Sequence, residues 1–145
     1  MNSSFCILVR LSSVELGVQY QFHDDHWLNR TDRNHSQRLL NLRENQLIRL
    51  TCVVSRASPA VSLHFPFDVD YRIERNSTIE NDDQTYRTIL VLILRINRYY
   101  HQRLFFCQAI QQQIRHDEQI RIRSNVLQIN VACKSCLIEL RRSNV

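Results

Sequence analysis

Leu47-Ile48-Arg49-Leu50-Thr51-Cys52-Val53-Val54 is the stretch that decides how this chain folds. Ile48, Leu50, Cys52 and Val54 recur at every second position, with Arg49 and Thr51 between them. Successive side chains of an extended strand point to opposite faces, so this pattern buries one face and wets the other. Its β-branched and aliphatic residues favour a pleated surface. The turn-like Glu44-Asn45 precedes it. The stretch reads as a half-buried strand with a cysteine pointing inward.

Working outward, Val61, Leu63 and Phe65 alternate with Ser62 and His64 between Ser58-Pro59 and Pro66, a second strand. Residues 66–87 are mixed and polar and read as loops and short edge strands. Thr88 to Ile96 is a continuous apolar run, including Leu92 and Leu94, expected as a strand buried on both faces or at a sheet centre. In Leu104 to Ile110, Phe105, Cys107 and Ala109 share one face. Ile120 and Ile122 alternate with Arg121 and Arg123. The parity changes near Ser124-Asn125, after which Leu127, Ile129 and Val131 turn inward, as across a β-bulge. Strands at intervals of roughly 10–20 residues without helices between them predict an all-β sandwich. Phe65, Phe105, Leu50, Leu92 and Leu94 are its expected core.

Composition bounds the rest. The 145 residues are one domain's worth of sequence, with room for a fragment of a neighbour. One Gly and two Pro exclude collagen-like chains and Gly-built phosphate loops. No apolar run approaches the roughly 20 residues that span a bilayer. The formal charge is +5, from 18 Arg and one Lys against 14 acidic residues. Phe5 to Val9 is an apolar run too short for a secretory signal, with no preceding base and Arg10 ending it. Sequons at Asn2, Asn29, Asn34 and Asn76 nevertheless lean towards an exported, glycosylated chain, with Asn29, Asn34 and Asn76 the expected acceptors. On that reading the chain is a fragment whose signal has been lost or lies upstream of Met1.

The combined spacing resembles an immunoglobulin-like domain. Glu44 to Cys52 is similar to a B strand with its cysteine, and Leu104 to Ala109 to an F strand carrying Cys107. The resemblance implies an antiparallel β-sandwich pinned by a Cys52–Cys107 disulfide. It also places Phe65 where the family usually has a tryptophan, and Phe105 where it has the tyrosine of the tyrosine corner. His101 and Arg103 replace the usual Asp and Gly before that tyrosine. Ser55 to Ala60 and Ser124 to Val131 narrow the likeness to modules of nephrin- and nectin-like cell-surface recognition proteins. The likeness covers residues 38–132. It leaves 1–37 as an N-terminal segment and 133–145 as a tail. Within the segment, Val14, Leu16, Val18, Tyr20 and Phe22 alternate. They form either the end strand of a preceding domain plus linker or this domain's own A-side strand.

The resemblance implies a non-enzymatic extracellular recognition or adhesion module, from a multidomain receptor of the immunoglobulin superfamily, with a protein partner on a cell surface. No cofactor and no nucleic acid are expected. His64, Phe106, Ile110, Arg121 and Arg123 are the candidate partner-binding face: Phe106 and Ile110 are apolar at positions pointing opposite to Cys107, with arginines at the rim. Cysteine or serine catalysis lacks its motif. His23-Asp24-Asp25-His26 reads as a solvated linker rather than a metal site. Arg95, Arg98, His101 and Arg103 around Tyr99-Tyr100 read as a solvated E–F loop rather than a nucleic-acid platform. The competing class is a small basic intracellular protein that binds nucleic acid, or zinc through Cys133-x-x-Cys136. The pairing of Cys6, Cys133 and Cys136 stays open.

Overall fold

The structure is a computed structural model that describes residues 8–21, 27–29, 37–112 and 119–132. Their strands are β1 (Glu15–Gln21), β2 (Trp27–Asn29), β3 (Gln37–Arg43), β4 (Leu47–Ala57), β5 (Ser62–His64), β6 (Tyr71–Glu80), β7 (Tyr86–Arg95), β8 (Leu104–Phe105), β9 (Gln108–Gln112), β10 (Gln119–Arg123) and β11 (Val126–Ala132). The first layer is the sheet β2-β1-β4-β7-β6. The second consists of two three-stranded sheets, β10-β9-β5 and β3-β11-β8.

The alternation of β4 is physical: Ile48, Leu50, Cys52 and Val54 are buried while Arg49 and Thr51 are only partly covered. β7 lies between β4 and β6, antiparallel to both. Its inward Leu90, Leu92 and Leu94 are buried, as is Val91 on the other face, which explains an apolar run without alternation. Across the core stand Phe105, Ala109, Leu127, Ile129 and Val131. A disulfide joins Cys52 of β4 to Cys107 between β8 and β9, with their Cα atoms 6.3 Å apart. It ties the two layers together through the core.

The second layer bends where the inward parity changes. The amide of Cys107 donates to Ser124 Oγ at 2.9 Å, and the amide of Ser124 donates to the Cys107 carbonyl at 2.8 Å. These bonds satisfy the buried backbone at the point where β8 gives way to β9 and β10 to β11. Past the bend, β11 pairs antiparallel with β8 and parallel with β3.

Phe65 and Phe105, which the resemblance places at a tryptophan and a tyrosine position, are both buried. Their rings stack at 5.6 Å, and Phe67 and Tyr100 meet Phe105 edge-on at 5.1 and 6.0 Å. Backbone bonds fix the neighbouring turn: Gln102 donates to the Ile129 carbonyl at 2.6 Å, and Ile129 to the Arg103 carbonyl at 3.1 Å. His101 Nδ1 accepts from the Val131 amide at 2.9 Å. Ring packing and the His101 imidazole thus stand where a tyrosine hydroxyl would serve.

One expectation is corrected. Residues 66–87 are not merely loops and short strands, because β6 runs for ten residues along the edge of the first layer. Both of its faces are largely exposed and a bulge lies between Ile73 and Arg75, so no alternation survives in its sequence. In the N-terminal segment, β1 pairs antiparallel with β4 from Glu15↔Val53 to Tyr20↔Ile48. Leu11, Val14, Leu16 and Val18 are buried in the same core. Burying these apolar side chains, about 25 cal/mol per Å² removed from water, holds the segment on the sandwich. Arg49 then bridges outward, over the Trp27 ring at 4.1 Å and to Glu74 at 3.1 Å.

Candidate functional site: the β5–β9–β10 face

Inward Cys107 and Ala109 force Phe106, Gln108 and Ile110 to the outer side of the second layer. The ladder then aligns three strands. Arg121 of β10 lies opposite Ile110 of β9, and Ile110 opposite Ser62 of β5. In the adjoining row Arg123 faces Gln108, which faces His64. Directly opposed residues share a face, so His64, Ile110, Arg121 and Arg123 form one surface. Phe106 continues it. Its ring meets Phe67 edge-on at 5.0 Å, and the Arg123 guanidinium stands 5.5 Å above it. Phe106 and Ile110 are half-buried by these neighbours, whereas His64, Arg121 and Arg123 are exposed.

The arginines are positioned. Arg121 Nη2 donates to Gln119 Oε1 at 2.9 Å, and Gln119 Nε2 donates to Gln112 Oε1 at 3.0 Å. Arg123 is oriented by the Phe106 ring, a cation–π contact of about 0.5–1 kcal/mol at an exposed site. Held guanidiniums lose less conformational entropy when a partner arrives. The surface therefore combines rigid apolar anchors with positive donors, which suits a partner offering apolar side chains and carboxylates. Leu104 lies beyond this sheet, on β8 opposite Gln128, and is 45% exposed.

The run around Tyr99-Tyr100 is engaged within the domain. Arg98 pairs with Glu44 at 3.1 Å, and Arg95 donates to the Asn45 carbonyl at 2.9 Å. Arg103 stands 5.7 Å from the Tyr100 and Phe105 rings. The exposed Tyr99 has its amide capped by Asn97 Oδ1 at 2.9 Å. Among the described residues no three of His, Cys, Asp and Glu are grouped to hold a metal. His23 to His26, Asn34, Cys6, Cys133 and Cys136 lie outside the described residues. Asn76 is exposed on β6, and Asn29 is on β2. In the β6–β7 turn, hydrogen bonds from the Thr85 hydroxyl at 2.5 Å and amide at 3.1 Å, with Arg56 at 2.6 Å, hold the Asp83 carboxyl below its usual range.

Two polar residues that sequence reasoning passed over organise the domain's upper end. Gln111 is buried, with Oε1 accepting from the Leu11 amide at 2.8 Å and Nε2 donating to the carbonyls of Val9 and Pro59 at 3.0 and 2.9 Å. Asn125 does the same for Leu16, accepting from its amide at 3.0 Å and donating to its carbonyl at 3.3 Å. The signal for Gln111 was present: it shares the inward parity of Phe105, Cys107 and Ala109.

Two layers of antiparallel strands, a B-to-F-type disulfide and a parallel strand on the last element define an immunoglobulin-type sandwich. The model of the CD80-like C2-set immunoglobulin domain matches residues 34–118, and the chain belongs to that family. No curated protein matches the chain as a relative. A solved structure described as "Crystal Structure of Rst D1-D2" is similar at 16% sequence identity and a TM-score of 0.41. The likeness covers 66% of this chain and 45% of that one, so this chain spans under half its length.

Proposed function

We propose that this domain is an extracellular, non-enzymatic recognition or adhesion module of a multidomain receptor, and that it binds a protein on a cell surface through the β5–β9–β10 face. The observation that carries this reading is the continuity of Ile110, Arg121, Arg123 and His64 across three paired strands, extended by Phe106 beneath the Arg123 guanidinium. Interfaces draw their energy from a few aromatic and arginine anchors, and both kinds stand here, the arginines on β10 and Phe106 in the β8–β9 link against Phe67 and Arg123. The Cys52–Cys107 disulfide favours an oxidising compartment over the intracellular alternative. Among the described residues no helix is long and apolar enough to cross a membrane.

The test is binding of the multimerised domain to a panel of cells, including cells that display this same chain. Phe106→Asp and the pair Arg121→Glu, Arg123→Glu should each weaken binding by about 30-fold or more, the scale of a 2 kcal/mol anchor. Asp82→Ala, in the β6–β7 turn, should leave it unchanged. Binding that survives both face variants in folded protein rules the face out.

A further inference from the structure

The first layer ends in β6 and the second in β5, and among the described residues neither end strand has a neighbour beyond it. Between them opens a groove of about 350 Å³, lined from one side by Leu63, His64 and Phe65 and from the other by Tyr71, Ile73 and Asn76. β6 is a long edge for its composition. Over ten residues it exposes Tyr71, Ile73 and Ile79, the isoleucines at 53% and 47%. An unpaired edge with apolar side chains is a template on which another strand can add. Arg72, Glu74, Arg75 and the bulge after Ile73 blunt it only in part.

Asn76 stands at the middle of this edge, in the sequon Asn76-Ser77-Thr78. It lies opposite Leu90, whose side chain is buried in the core, so Asn76 is on the strand's inward side. It is nonetheless exposed, because none of the described residues covers the groove at that point. A substituent on its amide nitrogen therefore leaves along the groove and past the strand edge.

We propose that Asn76 carries an N-linked glycan that occupies the β5–β6 groove and shields the free edge of β6 against strand addition. The glycan has a second consequence for the domain. His64 lines both the groove and the β5–β9–β10 face, so the sugar borders that face on its β5 side and partners reach it from β9 and β10. This inference rests on the extracellular reading above.

The experiment uses the full chain secreted from eukaryotic cells behind a supplied signal. Peptide mapping reads occupancy at Asn29, Asn34 and Asn76, and light scattering reads molar mass. Asn76 is expected to be occupied and the secreted protein monomeric. Asn76→Gln, Thr78→Val and glycosidase-treated wild type should each at least double in mass as concentration rises. Adding Ile79→Lys to Asn76→Gln should restore the monomer by placing a charge on the edge. A bare Asn76 in secreted, disulfide-linked protein that carries sugar elsewhere overturns the proposal alone. Occupied Asn76 with every sugar-free form monomeric overturns the shield. Retention of the chain with no sugar at any sequon overturns the extracellular reading, and this inference with it.

Discussion

Removing the Cys52–Cys107 link tests what holds the two layers together. The bridge closes a loop of 55 residues, and chain entropy for such a loop gives about 4 kcal/mol of stabilisation. That is a large share of the about 5–15 kcal/mol typical of a domain. Reduction is the cleanest perturbation, because both sulfurs stay in place in a site where each cysteine is fully buried, so no cavity opens. With a urea slope of about 2 kcal/mol/M, the midpoint should fall by about 2 M on reduction. The slope itself should rise, since the unlinked chain exposes more surface when unfolded. Cys52→Ala with Cys107→Ala should cost more than reduction, because it adds lost packing to the lost cross-link. Equilibrium urea unfolding followed by tryptophan fluorescence measures all three forms. A midpoint shift under about 0.5 M in protein shown to be fully reduced would refute the reasoning, leaving the packed core to carry the stability unaided.

Three further outcomes follow from named contacts. Leu92→Ala should cost about 2–5 kcal/mol because Leu92 has no exposed surface, whereas Ile93→Ala, on the half-buried outer face of the same strand, should cost less than half as much by denaturant unfolding. Gln111→Leu keeps the volume but removes the acceptor of the Leu11 amide and a donor to the Val9 and Pro59 carbonyls, of which Val9 keeps the Ser58 amide, costing about 1–3 kcal/mol, and hydrogen exchange should show the Leu11 amide losing protection. Asp83 should titrate below the ordinary value of 3.8 by carboxyl NMR. A depressed folded-state pKa means its stabilisation is present above the unfolded value and fades as pH falls through the folded one, so Asp83→Asn should remove that part of the acid sensitivity.

The readable part of the site was its alternation. Inward Phe105, Cys107 and Ala109 already implied outward Phe106 and Ile110, because a strand's side chains have a period of two. Which strands lie beside β9 was not readable in the same way. Pairing Arg121 with Ile110, and Ile110 with Ser62, joins residues up to 48 positions apart. Local pattern carries no record of such registers, which are set when turns, bulges and core packing are satisfied together. β6 escaped notice for the opposite reason. An edge strand wet on both faces has no burial contrast to write into its sequence.

Taken alone, the sequence determined the alternating strand segments and the inward positions of Cys52 and Cys107, because each depends on which neighbouring residues prefer water; the pairing of those cysteines was implied by the family resemblance. Tertiary structure decided that β1 belongs to this core, that Gln111 and Asn125 stand in for backbone partners of the N-terminal segment, and that Phe106 shares its surface with Arg123. These depend on atoms distant in sequence arriving at one place. Leu11 and Gln111 meet across 100 positions, and only the closed sandwich brings an amide that needs an acceptor to the one side chain that supplies it.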